Sequence, residues 1–518
     1  MKQVKLFISA AFALALLSSC KKEFLTLYPE GNLNEGNFYK STQDFQQAVN
    51  GAYVPLRDVA NVAYFMDENR SDNTHYDYNS KDRGNALLEN LVDFLDDANH
   101  PTILTRYQAD YNGISRTNVI LDRMAAVDFT IADVDKNQIM GEAKALRAHY
   151  YFDLVKNYGG VPLHLHEVKI SSDAFLPRST SEEVYTQIIL DFTNAINLLP
   201  VPSFGAAQTG RVTKGMATTE LAAVYLHRKE FDKAIPLLQN VTQMGYSLYP
   251  TYRDVFNPAN KNGNKEIIFD VQYQSGTTGQ QSNFIYRFTP ITTNTINILG
   301  VSFNNTIGGW NVPTDNLVNS YETGDKRLDA SIGIIEGTLD ANTNFIPTRV
   351  VSSVNYTAPP GVIAKRFIRK YYFPPYPALN QNTDQNWPLY RYSDVLLMFA
   401  ECLNETNKGG DALPYLNQVR SRAFGAGNGQ ITVTDLISLR TIIAKERRIE
   451  LGFENKRWQD LIRTGQALSV MNAYGVDLKT KFGYLLPQSY NVIQSRLLFA
   501  IPLREIQLNS KLVQNPGY

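Results

Sequence analysis

The chain of 518 residues is 43% hydrophobic and 19% charged, and its 50 Lys and Arg residues balance its 50 Asp and Glu residues. This neutral balance argues against nucleic acid as a partner, and the length allows one large domain or several smaller ones. Of the two cysteines, Cys20 lies in a predicted lipidation site and Cys402 in an apolar helical stretch, so a packed core rather than a disulfide is expected to stabilise the fold.

The first twenty residues have the layout of a secretory signal that ends at a lipidation site. Lys2 and Lys5 precede an apolar run over residues 6–17, and two serines stand directly before Cys20. This order predicts a signal peptide over residues 1–19 and a lipid on Cys20 that anchors the mature chain to a membrane. An ordinary signal peptide with a chance cysteine is the alternative, whereas the run is shorter than the ~20 residues of a transmembrane helix.

Apolar spacing then predicts a series of helices after an extended lead. Ser41 is a candidate N-cap with Asp44 three residues later, and the apolar stripe from Phe45 to Leu56 predicts the first helix. Further helices are predicted over residues 103–124, over residues 139–154 with an end at Gly159-Gly160, and from Ser181 to Leu199.

Two stretches have the spacing of paired helices. Residues 221–225 and 231–241 resemble the tetratricopeptide pattern, in which small residues stand where two helices touch, and residues 399–403 and 412–419 are a weaker copy. These features predict a mainly α fold with a tetratricopeptide-like helical scaffold over residues 36–256 and 388–470.

The composition changes between residues 257 and 387, where Gly, Asn, Thr and Pro become frequent. This stretch predicts a loop-rich, partly β insertion with strands at 266–273 and 366–373, and long loops of this kind are commonly functional. Residues 471–518 are predicted to wrap over the surface. The whole of residues 20–518 is interpreted as one domain.

Three motifs that suggest other chemistry are interpreted as structural. Glu446 and Glu450 are neighbours on a helix, but Lys445, Arg447, Arg448 and Arg457 lie close in sequence, which favours an ion network over a catalytic carboxylate pair. His164 and His166 lack a nearby third ligand, so no metal is predicted. The glycines at 425, 427 and 429 follow no strand, so they do not form a phosphate-binding loop.

Several motifs, taken in order, resemble one known family. They are Asn50-Gly51-Ala52-Tyr53, Tyr158-Gly159-Gly160-Val161-Pro162, Tyr390-Arg391-Tyr392-Ser393-Asp394, Glu446-Arg447-Arg448-Ile449-Glu450-Leu451 with Arg457-Trp458, and the ending Gln514-Asn515-Pro516-Gly517-Tyr518. Together they are similar to the SusD/RagB family of outer-membrane nutrient-binding lipoproteins from Bacteroidetes.

The resemblance implies a helical, tetratricopeptide-like protein that is lipid-anchored at the outer surface of the outer membrane. It implies capture of a nutrient, usually a glycan, and delivery to a SusC-like TonB-dependent transporter, with no catalytic residues and no required cofactor. Bound calcium stays open on the acidic stretch 67–72, because nothing there specifies a coordination set.

Two aromatic, polar stretches are candidate ligand sites, because apolar rings with polar edges suit sugar binding. In the family, loops at comparable places carry the ligand site. The predicted ligand-binding residues in the stretches 64–78 and 303–311 are Asp67, Arg70, Asp72, Tyr76, Tyr78, Asn305 and Trp310. The alternative is that these loops pack on each other or on the transporter.

Three other functions stay open. The same architecture can capture peptides or another non-glycan solute. A secreted glycan hydrolase would need two carboxylates facing each other across a cleft, for which the sequence shows no motif. A purely structural lid would bind no solute.

Overall fold

The computed structural model describes residues 38–80 and 86–518. The predicted signal peptide, the lipidation site at Cys20 and most of the extended lead lie outside these residues. Across the described residues, no helix combines the length and apolar composition that crossing a membrane requires.

The first predicted helix is two helices. Helix α1 (Thr42–Tyr53) begins at the predicted N-cap: Ser41 Oγ accepts from the Asp44 N–H at 3.2 Å, and the Asp44 carboxylate accepts from the Ser41 N–H at 2.9 Å. Helix α2 (Pro55–Ala63) begins separately, because Pro55 has no N–H to continue the α1 ladder. A π-helical turn, Tyr64–Glu68, continues α2 and is buried throughout.

The N-terminal scaffold is built from helices that pack in chain order. After α3 (Ala86–Val92) come α4 (Pro101–Ala125), α5 (Asp133–Tyr158), α6 (Ser181–Leu198), α7 (Lys214–His227) and α8 (Phe231–Thr242). From α4 onward, each helix contacts the next. Close approach of α4 and α5 depends on Gly113, where a Cβ would lie 2.2 Å from the Tyr150 ring. The predicted end of α5 is confirmed, since Gly159 follows it with φ of 75°.

The insertion carries short helices and the main strands. These elements are α9 (Phe284–Phe288), α10 (Ile296–Leu299), α11 (Asp315–Val318), α12 (Arg327–Ser331), β2 (Ile267–Val271), β3 (Val312–Pro313), β4 (Ile332–Leu339), β5 (Phe345–Ser352) and β6 (Ile363–Ile368), with β7 (Trp387–Arg391) at its end. Strand β1 (Thr74–His75) lies outside the insertion, after the π-helical turn. Three antiparallel sheets result: β1 with β3, β2 with β7, and β5-β4-β6. The insertion also has a small apolar cluster of its own around Ile335 and Phe367.

The strand predicted at 266–273 is confirmed as β2, whereas the one predicted at 366–373 begins and ends earlier, as β6. The ladder stops because the N–H groups of Arg369 and Lys370 both turn to the Ser331 carbonyl, at 2.8 and 3.2 Å. The Lys370 ammonium then reaches Glu454 at 2.5 Å in the protein interior.

The C-terminal half returns to the scaffold and completes it. Its helices are α13 (Tyr392–Glu405), α14 (Gly409–Phe424), α15 (Leu436–Glu450), α16 (Arg457–Arg463), α17 (Ala467–Lys481) and α18 (Leu503–Leu508). Helix α13 contacts α8, α14 and α15, so the two predicted helix pairs join in one core. The mainly α fold with a partly β insertion is confirmed.

The last residues lie along the N-terminal scaffold through backbone hydrogen bonds. Tyr490 N–H donates to the Asp93 carbonyl at 2.9 Å, and Phe499 N–H donates to the Asn157 carbonyl at 2.8 Å. Helix α17 lies largely inside the range predicted as a wrap, so that segment is helical at its start. The contacts place residues 482–490 beside β1.

Candidate functional site

The two stretches that the sequence singled out meet in a short β ribbon. Strand β1 pairs with β3, with Thr74 opposite Pro313 and His75 opposite Val312. Beyond the ribbon, the Asp77 N–H donates to the Gly309 carbonyl at 2.7 Å. Gly309 has φ of 84°, and a Cβ there would lie 3.2 Å from Asp77 Cβ, so glycine permits this approach.

Two cavities of about 410 and 380 Å³ adjoin along this ribbon and share Asp77, Val312, Pro313 and Arg366 as lining residues. We call them together the β1–β3 groove. The larger cavity extends to α17 and the loop after it, and the smaller one extends to the β5-β4-β6 sheet. The groove has the size and the mixed apolar and polar lining of a small-ligand site.

Stacked aromatic rings form one wall of the groove. The rings of Tyr78 and Tyr484 are parallel within 4°, with centroids 3.9 Å apart, and both are half-buried. Phe482 stacks on the His75 ring at 5.5 Å. Such a wall offers the flat apolar surface on which the faces of sugar rings pack.

His75 holds this wall in place. Its Nε2 is 3.0 Å from the Tyr484 hydroxyl and its Nδ1 is 3.0 Å from the Tyr490 hydroxyl. Burial lowers the pKa of His75 to about 3, so the ring is neutral and uses one nitrogen as donor and the other as acceptor. The wall is therefore fixed from behind by a neutral hydrogen-bond chain.

Tyr76 connects the groove to the interior. It lines the larger cavity with 6% of its surface exposed, and its hydroxyl donates to Asp93 Oδ2 at 3.0 Å. Burial raises the pKa of Asp93 to about 7. Tyr76 and Tyr78 are thus the two predicted ligand residues that line the groove.

Two other predicted ligand residues, Asp67 and Arg70, point into the protein. Asp67 pairs with Arg106 at 2.8 Å, Arg70 pairs with Asp96 at 2.5 Å, and each of these side chains is at most 4% exposed. Asp67 points inward because the π-helical turn after α2 is buried on all sides. The structure places these acidic and basic groups in interior ion pairs, and their contact with a ligand stays a prediction.

Asp72 is also an interior group. It accepts from Arg457 Nε at 2.7 Å and lies 3.0 Å from Arg448 Nη2, which attaches the loop before β1 to α15 and α16. It is 4% exposed. These pairs leave its carboxylate turned away from the groove.

Asn305 and Trp310 of the insertion are buried as well. The Asn305 amide donates to the carbonyls of Tyr286 at 2.9 Å and Pro290 at 3.1 Å, which closes its own loop. Trp310 is 3% exposed and packs edge-on against Phe65, with centroids 5.1 Å apart. The two residues support the floor beneath the groove rather than its surface.

The sequence interpretation missed the charged rim of the groove. Lys365 pairs with Asp77, and Arg366 Nη1 lies 2.6 Å from Asp315 Oδ1. Lys481 lies 2.9 Å from Asp477 and 3.7 Å from Asp315. These groups, unlike the buried pairs above, are 27–56% exposed and face the cavities.

The ion network predicted around Glu446 and Glu450 is present, but none of the cations that pair with these two carboxylates is one of the four expected. We call it the buried charge cluster; its members are Glu266, Glu446, Glu450, Glu454, Arg327, Lys370, Arg391, Arg420 and Arg422. Burial opposes ionisation of Glu450, but the neighbouring arginines outweigh it and hold its pKa well below the ordinary value.

The expected partners of that network contact other carboxylates. Arg447 pairs with Asp394 at 2.9 Å, and Arg448 and Arg457 pair with Asp72. The reason is helical geometry: on α15, residues adjacent in sequence point to different sides. Across residues 38–80 and 86–518, no three His, Cys, Asp or Glu side chains are gathered to hold a metal ion.

Family comparisons match both halves of the chain. Residues 23–226 match a family described as starch-binding and associating with the outer membrane, and residues 265–518 match the SusD family. A SusD-like protein of Formosa agariphila is 25% identical, over 100% of this chain and 99% of its own length.

Solved structures of SusD-like proteins superpose on this chain over nearly its whole length. A SusD homolog from Bacteroides thetaiotaomicron superposes with a TM-score of 0.75 at 22% identity, covering 95% of this chain and 100% of that chain. A laminarin-binding SusD-like protein superposes with a TM-score of 0.72 at 26% identity, covering 93% of this chain and 100% of that chain. The tetratricopeptide-like fold class is thereby confirmed.

Proposed function

The chain belongs to the SusD family, and from that premise we propose that it binds a glycan at the cell surface in the β1–β3 groove. The glycan would pass to a partner TonB-dependent outer-membrane transporter. The protein would act by binding alone, with no bond made or broken.

One observation carries the proposal: stacked tyrosines stand beside half-exposed polar side chains in a groove of sufficient volume. The wall of Tyr78 and Tyr484 provides the apolar face, and Asp77, Lys365 and Arg366 provide groups that hydrogen-bond to hydroxyls. The laminarin-binding structure, at 26% identity, and the description of the matched family as starch-binding both support a glycan ligand.

The seven residues predicted from the sequence take two roles in this proposal. Tyr78 and the exposed edge of Tyr76 contact the glycan. The other five hold the loops that form the groove; they are Asp67, Arg70, Asp72, Asn305 and Trp310.

Calorimetric titration of the mature chain tests the proposal. We expect heat from one glycan class within a panel of β-glucan, α-glucan and other plant and microbial oligosaccharides. Tyr78→Ala is expected to weaken binding by about fivefold, since a ring contact contributes about 1 kcal/mol. Tyr249→Ala, a half-buried tyrosine outside the groove, is the matched control and leaves the dissociation constant unchanged.

The same titration separates the other functions. If mixed peptides give heat of binding and no sugar does, the ligand is a peptide and not a glycan. If no solute gives heat of binding, the result favours a purely structural lid. Release of shorter sugars from a bound glycan, detected by chromatography, would favour a hydrolase.

Membrane attachment and the transporter need their own tests. We propose that Cys20 carries the lipid and that Cys20→Ser moves the protein from the membrane fraction to the soluble fraction. We propose that the detergent-solubilised native protein co-purifies with a TonB-dependent transporter; its isolation as a lone chain would contradict the partnership.

A further inference from the structure

The groove carries equal numbers of acidic and basic side chains. Within residues 38–80 and 86–518, its lining contains three carboxylates and three cations: Asp77, Asp315, Asp477, Lys365, Arg366 and Lys481. His75 also lines the groove but is 5% exposed and held neutral between two tyrosine hydroxyls. The formal charge of the described lining residues therefore sums to zero.

Each cation of the rim already has a carboxylate beside it. Asp77 pairs with Lys365, and Asp315 lies between Arg366 at 2.6 Å and Lys481 at 3.7 Å. Asp477 lies 2.9 Å from Lys481 on the other side. Among the described lining residues, acidic and basic groups thus alternate, and each of the three cations has a carboxylate next to it.

This alternation favours uncharged ligands over anionic ones. A uronate or sulfate group that approached Lys365 or Arg366 would meet the Asp77 or Asp315 carboxylate at the same place, and like charges brought together disfavour binding. Specificity commonly uses such repulsive elements together with attractive ones. An uncharged hydroxyl meets no such repulsion.

The paired groups keep the capacity to bind hydroxyls. A guanidinium has five N–H donors, and Arg366 uses Nη1 toward Asp315. A carboxylate has two oxygens with about four acceptor positions, so Asp77 and Asp315 accept from sugar hydroxyls while they remain paired. Neighbouring donor and acceptor groups match the adjacent hydroxyls of a pyranose ring.

We propose that the β1–β3 groove selects uncharged glycans, and that Asp77 and Asp315 are the specificity-determining residues that exclude sugars bearing carboxylate or sulfate groups. The proposal rests on the proposed function, because it assigns a ligand class to the same groove. The proposal also predicts that replacing both Asp77 and Asp315 by uncharged residues lets the groove bind anionic sugars.

The experiment compares the wild type with the double variant Asp77→Asn/Asp315→Asn. The ligands are the neutral oligosaccharide that gives most heat in the panel, the same oligosaccharide after chemical sulfation, and uronic-acid oligosaccharides. The wild type is expected to prefer the neutral sugar by at least about tenfold, and the double variant to bind the anionic sugars about tenfold more tightly than the wild type does. The new binding is expected to weaken between about 50 and 500 mM NaCl, because exposed charges are screened.

Glu405→Gln is the matched control. It releases Arg440 from an ion pair with Nε–Oε1 of 2.6 Å at the surface outside the groove, and it is expected to leave all affinities unchanged. The single variant Asp315→Asn, at a side chain 56% exposed, repeats the test if the double variant folds poorly.

The outcomes distinguish the two proposals. Wild-type binding of an anionic sugar that is lost in Tyr78→Ala would keep the groove as a glycan site but overturn its selectivity. Absence of any gain for anionic sugars in both variants would overturn the role of Asp77 and Asp315. Absence of binding to every glycan, neutral and anionic, would overturn the proposed function and the inference with it.

Discussion

Charged side chains gather in two regions of this molecule, the buried charge cluster on α15 and the rim of the β1–β3 groove. In the cluster, Arg391 and Glu450 are fully buried, and each of these two side chains has several oppositely charged partners. On the rim, side chains such as Lys481 and Asp315 are about half exposed. Burial makes the loss of one partner costly, whereas exposure leaves charges free to meet a ligand. We therefore expect mutations in the first region to change stability most and, under the proposed function, mutations in the second to change ligand binding most.

The largest expected effect comes from breaking the buried charge cluster. Arg391→Met would leave Glu266, Glu450 and Glu454 buried without one of their cations, and we expect the free energy of unfolding in urea to fall by about 3–5 kcal/mol. Arg440→Met, at an exposed surface pair, is expected to cost less than about 1 kcal/mol. Equal losses of unfolding free energy in Arg391→Met and Arg440→Met would contradict the expectation that burial makes the loss of an ionic partner costly.

Trp310 tests whether the floor of the groove supports stability or contacts the ligand. We expect Trp310→Ala to lower the free energy of unfolding by about 3 kcal/mol, because it leaves a cavity against Phe65. Trp310→Phe is expected to keep glycan affinity within about threefold of the wild type. Lost affinity with unchanged stability would instead place Trp310 on the ligand, as the sequence alone predicted.

Asp93, which is buried behind the groove and accepts from the Tyr76 hydroxyl, should make stability depend on pH. Its pKa is raised by burial to about 7, with Glu89 and the Tyr76 hydroxyl nearby, so the folded protein binds more protons than the unfolded chain between about pH 4 and 7. Stability from this group is therefore lost as pH rises through that range. We expect Asp93→Asn to reduce the fall in the free energy of unfolding over that pH range by about 2 kcal/mol. Urea unfolding at several pH values measures this fall. The exposed residue Asp97 provides the control variant, Asp97→Asn. If the free energy of unfolding of Asp93→Asn depends on pH as in the wild type, or if Asp97→Asn changes that dependence equally, Asp93 is not the group responsible.

The smallest expected effect concerns the support of the aromatic wall. Tyr484→Phe removes the hydroxyl that contacts His75 Nε2 at 3.0 Å but keeps the ring, and we expect glycan affinity to weaken about threefold. Tyr111→Phe, which removes a hydroxyl bond to the Pro162 carbonyl at 2.8 Å outside the groove, should leave affinity unchanged. Equal affinity in Tyr484→Phe and the wild type would show that ring stacking alone orients the wall.

Much of the fold was predictable because local signals specify it. The capping box at Ser41 and Asp44, the glycine end at Gly159 and the paired-helix spacing each act over a few residues, and the structure confirms them. The strand at 366–373 was misplaced because its end depends on Ser331 and Glu454, which are distant in sequence.

The site was less predictable because polarity alone does not show which way a side chain points. Asp67 and Arg70 look like ligand groups in the sequence, yet a buried π-helical turn and a distant acid take them inward. Tyr484 was missed because it belongs to the C-terminal segment, although Phe482 and Tyr484 have the same aromatic, loop-like setting as residues 64–78. Only the folded chain brings it to Tyr78.

The stacking of Tyr78 on Tyr484 also ties ligand capture to the order of synthesis. The first ring leaves the ribosome early and the second leaves near the end of translation, so a chain that stops before Phe482 lacks half of the wall. Such a fragment has most of the scaffold helices, but under the proposed function it is expected to bind sugar more weakly than the full chain. Under the proposed function, full affinity for a glycan is therefore expected only once residues 482–490 have folded beside β1.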